Sequence, residues 1–288
     1  MMDLVGKRVA VTGSTGGLGR ELCTYLAERG ASLVLVDRNA ARSEDHRQSL
    51  LERFENIDVR CITLDLEDLS SAESVAQRLT ELGTDVFVHN AGAYGIPRRK
   101  CSSGHGNVFQ INFVTPYCII RNLLPSLRER GGKVVAVSSL AHAFSRTDSK
   151  DIDFDTRRSA ARVYGNAKRY LTFSLFELFR DEREAHLSIV HPGICLTNIT
   201  SNYPRLISAI IKYPMKLIFM SPKKAALSIL EGVLDETAYC EWIGPRVLGI
   251  WGKPKKKKLR TCSEKERLQI ADISTKIFYV LKENNNGI

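Results

Sequence analysis

The sequence predicts an α/β protein built on a doubly wound parallel sheet, Rossmann-like, with helices on both faces. Short apolar runs rich in β-branched residues alternate with longer helical patterns, and this alternation predicts repeated βαβ units. A glycine-rich turn follows the first run and leads into a helix, as in dinucleotide-binding sheets. The chain has 288 residues, which is enough for one large domain of this kind.

Six strands are expected in chain order, at residues 8–12, 32–36, 59–64, 85–89, 133–138 and 187–191. The fifth has an uninterrupted apolar centre, which is typical of a strand buried on both faces. Helical patterns cover about 106–130 and 160–181, and the second has apolar residues at helical spacing. After Ile194 the alternation ends, and a helix near 222–234 and a short strand near 239–243 are expected there.

The positive charge of the chain is concentrated near its C-terminus. The net charge is +10, and residues 251–288 contain ten Lys or Arg against four Asp or Glu. We therefore expect one domain over residues 1–250 and a basic, partly helical extension over 251–288. The lysine-rich run 253–260 is interpreted as solvated side chains, and no nucleic-acid partner is expected.

The cysteines and the N-terminus indicate the compartment. Seven cysteines lie far apart with no CxxC pair, so neither a disulfide framework nor a metal site is expected. The N-terminal residues are polar and run directly into a strand, unlike a signal peptide. No stretch of 18 apolar residues occurs, so no membrane span is expected. Together these features favour a cytoplasmic protein with reduced thiols.

The turn after the first strand has the composition of a phosphate-binding loop. A strand, a glycine turn and a helix N-terminus direct backbone N–H groups toward a pyrophosphate. Gly13 permits the tight turn, Gly17 lets the phosphates approach the backbone, and Gly19 lets the helix pack closely on the sheet. The residues of this loop expected to bind a cofactor are Gly13, Ser14, Thr15, Gly17, Leu18 and Gly19.

The end of the second strand predicts which dinucleotide is bound. Asp37 can accept hydrogen bonds from the adenosine ribose hydroxyls and would repel a 2′-phosphate, so NAD is favoured over NADP. Arg38 is the opposing signal, because a guanidinium at this turn could bind that phosphate.

Tyr164 and Lys168 are four residues apart on the long helical pattern and therefore share a helix face. A free tyrosine has a pKa of about 10, which is too high for a base at neutral pH. A fixed cation nearby stabilises the phenolate and lowers that pKa. Tyr164 could then exchange a proton with an alcohol or a ketone as hydride moves to or from a nicotinamide.

These motifs occur in the order found in the short-chain dehydrogenase/reductase family, which the chain resembles over about residues 5–245. The further matches follow strands three to six and the helix after strand four: Asp65 with Leu66, Asn90-Ala91-Gly92, Asn112, Ser138-Ser139, and Pro192-Gly193 with Ile194 and Thr197.

The resemblance implies a role for each matched residue. Ser139 would hold the substrate oxygen, Tyr164 would be the acid/base, and Lys168 would bind the cofactor ribose and tune Tyr164. Asn112 would hold a water in a proton relay. The remaining matches would line the cofactor, with Asp65 and Leu66 beside the adenine, Asn90, Ala91, Gly92, Pro192 and Gly193 along its length, and Ile194 and Thr197 at the carboxamide.

The 25 residues from Ser139 to Tyr164 resemble the retinol-dehydrogenase-like branch, whose members often act on lipophilic alcohols and ketones. Residues 197–220 are rich in large apolar side chains and are interpreted as a helical substrate lid, with peripheral membrane contact as a weaker alternative. His89 and Ala167 depart from the family pattern, which usually has Asn and Ser at these positions. A homodimer through the two long helices would also be in keeping with the family.

Two other classes of function remain open. One is a nucleotide-sensing protein that keeps the cofactor loop without turnover, although the complete set of Ser139, Tyr164 and Lys168 speaks against it. The other is a peripheral membrane or scaffold protein that uses the basic extension. The leading interpretation is an NAD(P)-dependent oxidoreductase acting on a small lipophilic alcohol or ketone.

Overall fold

The computed structural model describes residues 4–194 and 220–286, with side chains described as far as residue 283. The strands are β1 (Arg8–Thr12), β2 (Ser32–Asp37), β3 (Val59–Thr63), β4 (Val86–His89), β5 (Lys133–Val137), β6 (His186–Val190), β7 (Glu241–Val247) and β8 (Trp251–Lys258). The α-helices are α1 (Gly17–Ala27), α2 (Ala40–Arg53), α3 (Ser71–Glu81), α4 (Asn107–Phe109), α5 (Thr115–Glu129), α6 (Ala160–Leu178), α7 (Pro222–Leu234) and α8 (Glu264–Asn286).

The strands form one sheet in the order β3-β2-β1-β4-β5-β6-β7-β8, parallel from β3 to β7. The order reverses between β1 and β4, and a doubly wound sheet opens a crevice at the carboxyl ends of its strands at such a point. The predicted fold class is confirmed, and each of the six predicted strands agrees with the structure to within one residue at either end.

Each face of the sheet packs on its own apolar layer. On one face, β1, β4 and β5 bury Ala10, Phe87 and Val134 against side chains of α3, α5, α6 and α8. On the other face, Val9 and Val11 pack against α1, α2 and α7. Alternate side chains of one strand point to opposite faces, which is why apolar runs without polar interruptions form these central strands.

The lysine-rich run is a strand, which the sequence interpretation did not include. β8 pairs antiparallel with β7, from Glu241 opposite Lys258 to Val247 opposite Trp251, so residues 251–258 form the edge of the main sheet. Most of its lysine side chains are exposed, as expected for this run. Lysines at a sheet edge deter pairing with another chain.

Two further observations concern membrane-spanning helices and cysteines in the described part of the chain. Within residues 4–194 and 220–286, no helix is long and apolar enough to span a membrane. The six cysteines of that part of the chain are all free. Cys195 lies outside the described residues.

Candidate active site

The glycine loop lies between β1 and α1, at the carboxyl edge of the sheet beside the switch point. Gly13 has a left-handed backbone, with φ of +68°. A Cβ at Gly19 would lie 2.2 Å from the Gly13 carbonyl oxygen, so only glycine allows α1 to start this close to the turn. Gly17 begins α1, and a Cβ there would meet nothing closer than the Pro222 side chain at 3.7 Å. The loop therefore has the close turn and the open helix N-terminus that a pyrophosphate requires.

Asp37 ends β2 and is almost completely buried under this loop. One carboxylate oxygen accepts hydrogen bonds from the N–H and Oγ1 of Thr15, at 3.0 and 2.9 Å. The other accepts from the hydroxyls of Ser14 and Ser43. Asp37 thus fixes the shape of the phosphate loop, a contact that its sequence position alone did not indicate.

Three arginines surround the same part of the loop. The Nε of Arg20 and the Nη2 of Arg42 each lie 3.3 Å from the Thr15 carbonyl oxygen. Arg38 follows Asp37 directly and is exposed. The adenosine end of the predicted cofactor site therefore combines one buried carboxylate with three guanidinium groups.

The segment after β4 is held against the end of β1 by hydrogen bonds. The Thr12 hydroxyl accepts from the N–H groups of Asn90 and Ala91, both at 3.0 Å. The Asn90 side chain donates to the carbonyl oxygens of Thr12 and Gly13 at 3.0 and 3.2 Å. These bonds hold the predicted Asn90-Ala91-Gly92 element beside the glycine loop, as its sequence position implied.

Asn112 lies in a single π-helical turn, Gln110–Val114, that interrupts the helix between α4 and α5. Its amide donates to the carbonyl oxygens of Ala93 and Val108 at 2.9 and 2.8 Å. A Cβ at Gly92 would lie 2.7 Å from Asn112 Oδ1 and 3.5 Å from the Lys168 ammonium nitrogen. Residues 92, 112 and 168 therefore meet at one point of the site, and π-helical turns recur at functional sites.

Ser139 and Tyr164 are brought toward each other by close packing of α6 on the turn after β5. A Cβ at Gly165 would lie 2.3 Å from the Ala141 carbonyl oxygen and 2.8 Å from the Ser145 hydroxyl, so glycine is needed beside Tyr164. The Ser139 Oγ accepts the Ala141 N–H at 3.2 Å, which leaves its own proton available to a ligand.

Lys168 is 2% exposed and lies beneath the ring of Tyr164. Its Nζ is 5.7 Å from the centroid of that ring and donates to the Val137 carbonyl oxygen at 2.9 Å. Burial lowers the pKa of Lys168 to about 7. Tyr94, which the sequence interpretation did not single out, packs edge-on against Tyr164 with centroids 5.3 Å apart.

The remaining predicted cofactor residues lie at the same edge of the sheet. Asp65 and Leu66 follow β3, and Asp65 turns the chain by accepting the Glu67 N–H at 3.0 Å. Pro192, Gly193 and Ile194 follow β6, and the Ile194 carbonyl accepts the Met220 N–H at 3.0 Å. Thr197 and the predicted lid over 197–220 lie outside the described residues, except for its last residue, Met220.

His89, the first departure from the family pattern, is fully buried at the end of β4. Its Nδ1 lies 3.3 Å from the Thr12 hydroxyl. Burial, with the positive charge of Lys168 as the smaller cause, lowers the pKa of His89 far below its usual range, so the ring is neutral. A neutral imidazole can exchange a hydrogen bond with Thr12, as the usual asparagine could.

His142 and Arg169, the second of which the sequence interpretation did not single out, support the site from behind. The His142 Nδ1 lies 2.6 Å from the Ser139 carbonyl oxygen, and its Nε2 lies 2.9 Å from the Thr261 hydroxyl. Arg169 donates to the carbonyl oxygens of His142 and Thr261 at 3.0 and 2.8 Å. Nothing in the α6 pattern marked Arg169, which follows the charged Lys168 directly in the sequence.

The site residues fit a dinucleotide with a nicotinamide end. The loop presents the α1 N-terminus, and Lys168 uses one of its three N–H groups on Val137, so further donors remain for ribose hydroxyls. Among the described residues the buried Oδ1 of Asn90 has no hydrogen-bond partner, so it is available to a ligand. Within the described ranges, no cluster of three His, Cys, Asp or Glu side chains suits a metal ion.

Comparison with known proteins identifies the family. Residues 7–149 match the family described as short chain dehydrogenase. The chain is 28% identical over 204 residues to the short-chain dehydrogenase TIC 32 A, chloroplastic, of Brassica napus, a match covering 66% of this chain and 64% of that protein. It is 29% identical over 206 residues to retinol dehydrogenase 12 of Mus musculus, covering 70% and 65%. The matches thus span slightly less than two thirds of these relatives.

A crystal structure of an uncharacterized protein from Mycobacterium paratuberculosis has the same fold. Its TM-score is 0.75 with 24% identity, and the match covers 98% of this chain and 94% of that one. The chain belongs to the short-chain dehydrogenase/reductase family, as predicted, and its similarity to retinol dehydrogenases 12 and 13 supports the retinol-dehydrogenase-like branch.

Proposed function

We propose that this member of the short-chain dehydrogenase/reductase family is an NAD(P)-dependent oxidoreductase acting on the carbinol or carbonyl carbon of a lipophilic alcohol or ketone. The observation that carries the proposal is the buried Lys168 ammonium beneath the Tyr164 ring, in the same crevice as the glycine loop. A fixed positive charge at this position favours the phenolate and so fits Tyr164 for proton transfer. When bound, the nicotinamide supplies or accepts the hydride.

Each of the chain's own residues has a separate task in this proposal. The Ser139 hydroxyl donates its free proton to the substrate oxygen, since its oxygen already accepts the Ala141 N–H. Tyr164 gives a proton to that oxygen in reduction and takes one in oxidation. Lys168 binds the ribose and, in its protonated form, places a positive charge beneath the phenol. Asn112 holds the 92–93 segment in place and would bind the water of a proton relay.

The lipophilic substrate is supported by apolar residues near the site. Tyr94 contacts Tyr164 and is partly exposed, and Phe144, at the end of the turn after Ser139, is largely exposed. The segment 197–220 is strongly apolar in sequence. Apolar walls with one polar point suit a substrate with a hydrocarbon body and a single reacting oxygen.

The test is a substrate screen that follows the absorbance of reduced nicotinamide. We expect kcat/KM to rise along a series of alcohols or ketones of increasing hydrocarbon length, because each buried CH₂ contributes about 0.8 kcal/mol. A preference for sugars or short polar hydroxy acids would overturn the lipophilic substrate but leave the oxidoreductase proposal standing. A complete lack of turnover with either cofactor, despite tight cofactor binding, would favour a nucleotide-sensing protein.

For the cofactor we propose NAD, because a carboxylate that ends the second strand, as Asp37 does, would repel a 2′-phosphate. NADP is the second candidate, since Arg20, Arg38 and Arg42 offset that charge at the same loop. The dissociation constants of both cofactors decide between them. We expect tighter NAD binding in the natural chain, and improved NADP binding in Asp37→Asn, which keeps a hydrogen-bonding oxygen. Tighter NADP binding by the natural chain would show that the arginines dominate.

A further inference from the structure

The tip of the β7–β8 hairpin exposes apolar side chains. Val247 and Leu248 are 49% and 76% exposed, and the turn closes with the Ile250 N–H donating to the Val247 carbonyl at 2.9 Å. Trp251 begins β8 opposite Val247 and is also partly exposed. Single exposed apolar residues are common on protein surfaces. Two adjacent ones at a hairpin tip, with a tryptophan across the strand pair, form a continuous apolar tip, which we define as residues 247–251.

Leu248 is unfavourable at this position in two respects. Its backbone is left-handed, with φ of +51°, and Gly249 follows with φ of +72°. Two-residue hairpin turns with positive φ at both positions normally carry Asn, Asp or Gly, which tolerate this backbone and are hydrated well. A leucine here is strained in its backbone and also exposes its side chain to water. Unfavourable residues of this kind tend to be kept where they have a function.

The charged residues next to the apolar tip in the sequence are all of one sign. Between Glu241 and Glu264 the chain has no acidic residue and seven basic ones. Arg246, Lys253 and Lys255 flank the tip and are exposed. Lys257 is instead engaged with the carbonyl oxygens of Pro245 and Arg246, at 3.2 and 3.0 Å. Protection of a sheet edge would account for lysines along β8, but it would not account for Leu248.

The tip is next to the candidate active site. A Cβ at Gly249 would lie 3.2 Å from the side chain of Leu140, which follows Ser139. A Cβ at Gly193, a predicted cofactor contact, would lie 2.9 Å from the Ile250 carbonyl oxygen. A surface that bound the tip would therefore lie close to the mouth of the crevice.

We propose that the apolar tip docks on an anionic lipid bilayer surface, with Leu248 and Val247 in the acyl boundary and Arg246, Lys253 and Lys255 at the headgroups. Aliphatic side chains flanked by cations match the layered chemistry of an anionic bilayer. Nucleic acid would match the cations but would leave Leu248 in water. The docking itself does not depend on the proposed enzymatic function.

The test is co-sedimentation of the full chain with vesicles of phosphatidylcholine and phosphatidylserine, compared with vesicles of phosphatidylcholine alone. We expect binding to the anionic vesicles that weakens as salt is raised. Leu248→Asn should reduce the partition coefficient about tenfold, because the leucine side chain no longer leaves water. Asparagine suits the left-handed turn, so this variant should fold at least as well as the natural chain.

Matched controls come from α8, where Leu268 is 50% exposed and Lys282 is exposed. Lys255→Glu should weaken binding, whereas Leu268→Asn and Lys282→Glu should leave it unchanged. The emission of Trp251 should shift to the blue with anionic vesicles in a Trp242→Phe background. Absent binding of the natural chain, or equal binding by Leu248→Asn, or an unshifted Trp251, would overturn the proposal.

Discussion

The buried Arg169 and the half-buried Glu266 form a bidentate ion pair that joins α6, the helix of Tyr164 and Lys168, to the C-terminal helix α8. The Nε and Nη2 of Arg169 donate to Oε1 and Oε2 of Glu266 at 2.8 and 2.6 Å. The same guanidinium binds the carbonyl oxygens of His142 and Thr261. Because Arg169 follows Lys168 directly and His142 holds the Ser139 carbonyl, the C-terminal helix is tied to both sides of the candidate active site.

Removal of the carboxylate should strongly destabilise the fold. Glu266→Ala leaves the Arg169 charge buried without its partner, which typically costs about 3–5 kcal/mol. The matched control is Asp272→Ala, which breaks the exposed pair with Lys276 and should change stability by no more than about 0.5 kcal/mol. Urea unfolding measures both variants. Similar losses in the two variants would show that the buried pair has no special weight.

The same pair should make stability depend on pH in the acid range. Burial alone would raise the pKa of Glu266, but the hydrogen bonds from Arg169 and Thr147 outweigh it and hold the pKa at about 2. A carboxyl group with a lower pKa in the folded state stabilises that state above its unfolded pKa of about 4.3, and the gain is lost as pH falls toward 2. In urea titrations at several pH values, Glu266→Gln should lose less stability between pH 5 and about 2 than the natural chain does. Parallel curves for the two proteins would contradict this linkage.

The central sheet was predictable because its signals are local. Val134 and its neighbours form an unbroken apolar run, which a strand buried on both faces requires. β8 was missed because a run of lysines has no apolar alternation, and its pairing with β7 decides its structure. The support from Arg169 was equally hidden, since its partner Glu266 is 97 residues away and only the folded chain brings them together.

The candidate site was predictable where residue type and spacing in the sequence were enough to identify a motif. Tyr164 and Lys168 share a helix face by spacing, and the structure places them together. The bonds of Asp37 to Ser14 and Thr15 depend on how the loop folds back over β2, which spacing does not reveal. Gly165 appeared in the sequence as a spacer inside the motif, but the 2.3 Å approach to Ala141 makes it a packing requirement.

The buried ammonium of Lys168 should lower the free energy of unfolding of the protein at neutral pH. Burial lowers the pKa of its ammonium from the usual value of about 10.4 to about 7, so between these values the unfolded chain binds more protons. Stability from this group therefore rises with pH across that window. At pH 7, Lys168→Met should have a free energy of unfolding that is higher than that of the natural chain by on the order of 1–3 kcal/mol. Urea titrations measure this difference, and it should shrink toward pH 10. A Met variant that is less stable at pH 7 would contradict this account.

The C-terminal helix should prevent a dimer through α5 and α6. α8 packs on both helices: Ile270 and Phe278 are buried, and the guanidinium of Arg121 on α5 stacks 4.5 Å from the Phe278 ring centroid. The homodimer that the family resemblance implied would need that face. Cross-linking in solution should therefore join no α5 of one copy to α5 of another, and a monomer would have a mass of 32.2 kDa by light scattering. If twice that mass is found, cross-links between α5 of two copies would show that α8 is displaced, whereas cross-links elsewhere would preserve the prediction.

Tyr164→Phe tests the proton transfer itself. The substitution keeps the ring that packs on Tyr94 and lies over Lys168, and it removes only the hydroxyl that would carry the proton. Turnover should fall by about two to four orders of magnitude, the usual contribution of a general acid or base, while the dissociation constant of the cofactor changes little.

The neighbouring Tyr94→Phe is the matched control for that experiment. Tyr94 is partly exposed and contacts Tyr164 edge-on, so its hydroxyl has access to the same crevice. The buried ammonium of Lys168 lies over the ring of Tyr164 and not over that of Tyr94 in the contacts described above. We therefore expect loss of the Tyr94 hydroxyl to change KM at most. The kcat should stay within about threefold of the natural chain, well short of a general acid/base effect. If Tyr164→Phe retained full turnover, or if Tyr94→Phe lost as much as Tyr164→Phe, the proton carrier would not be Tyr164.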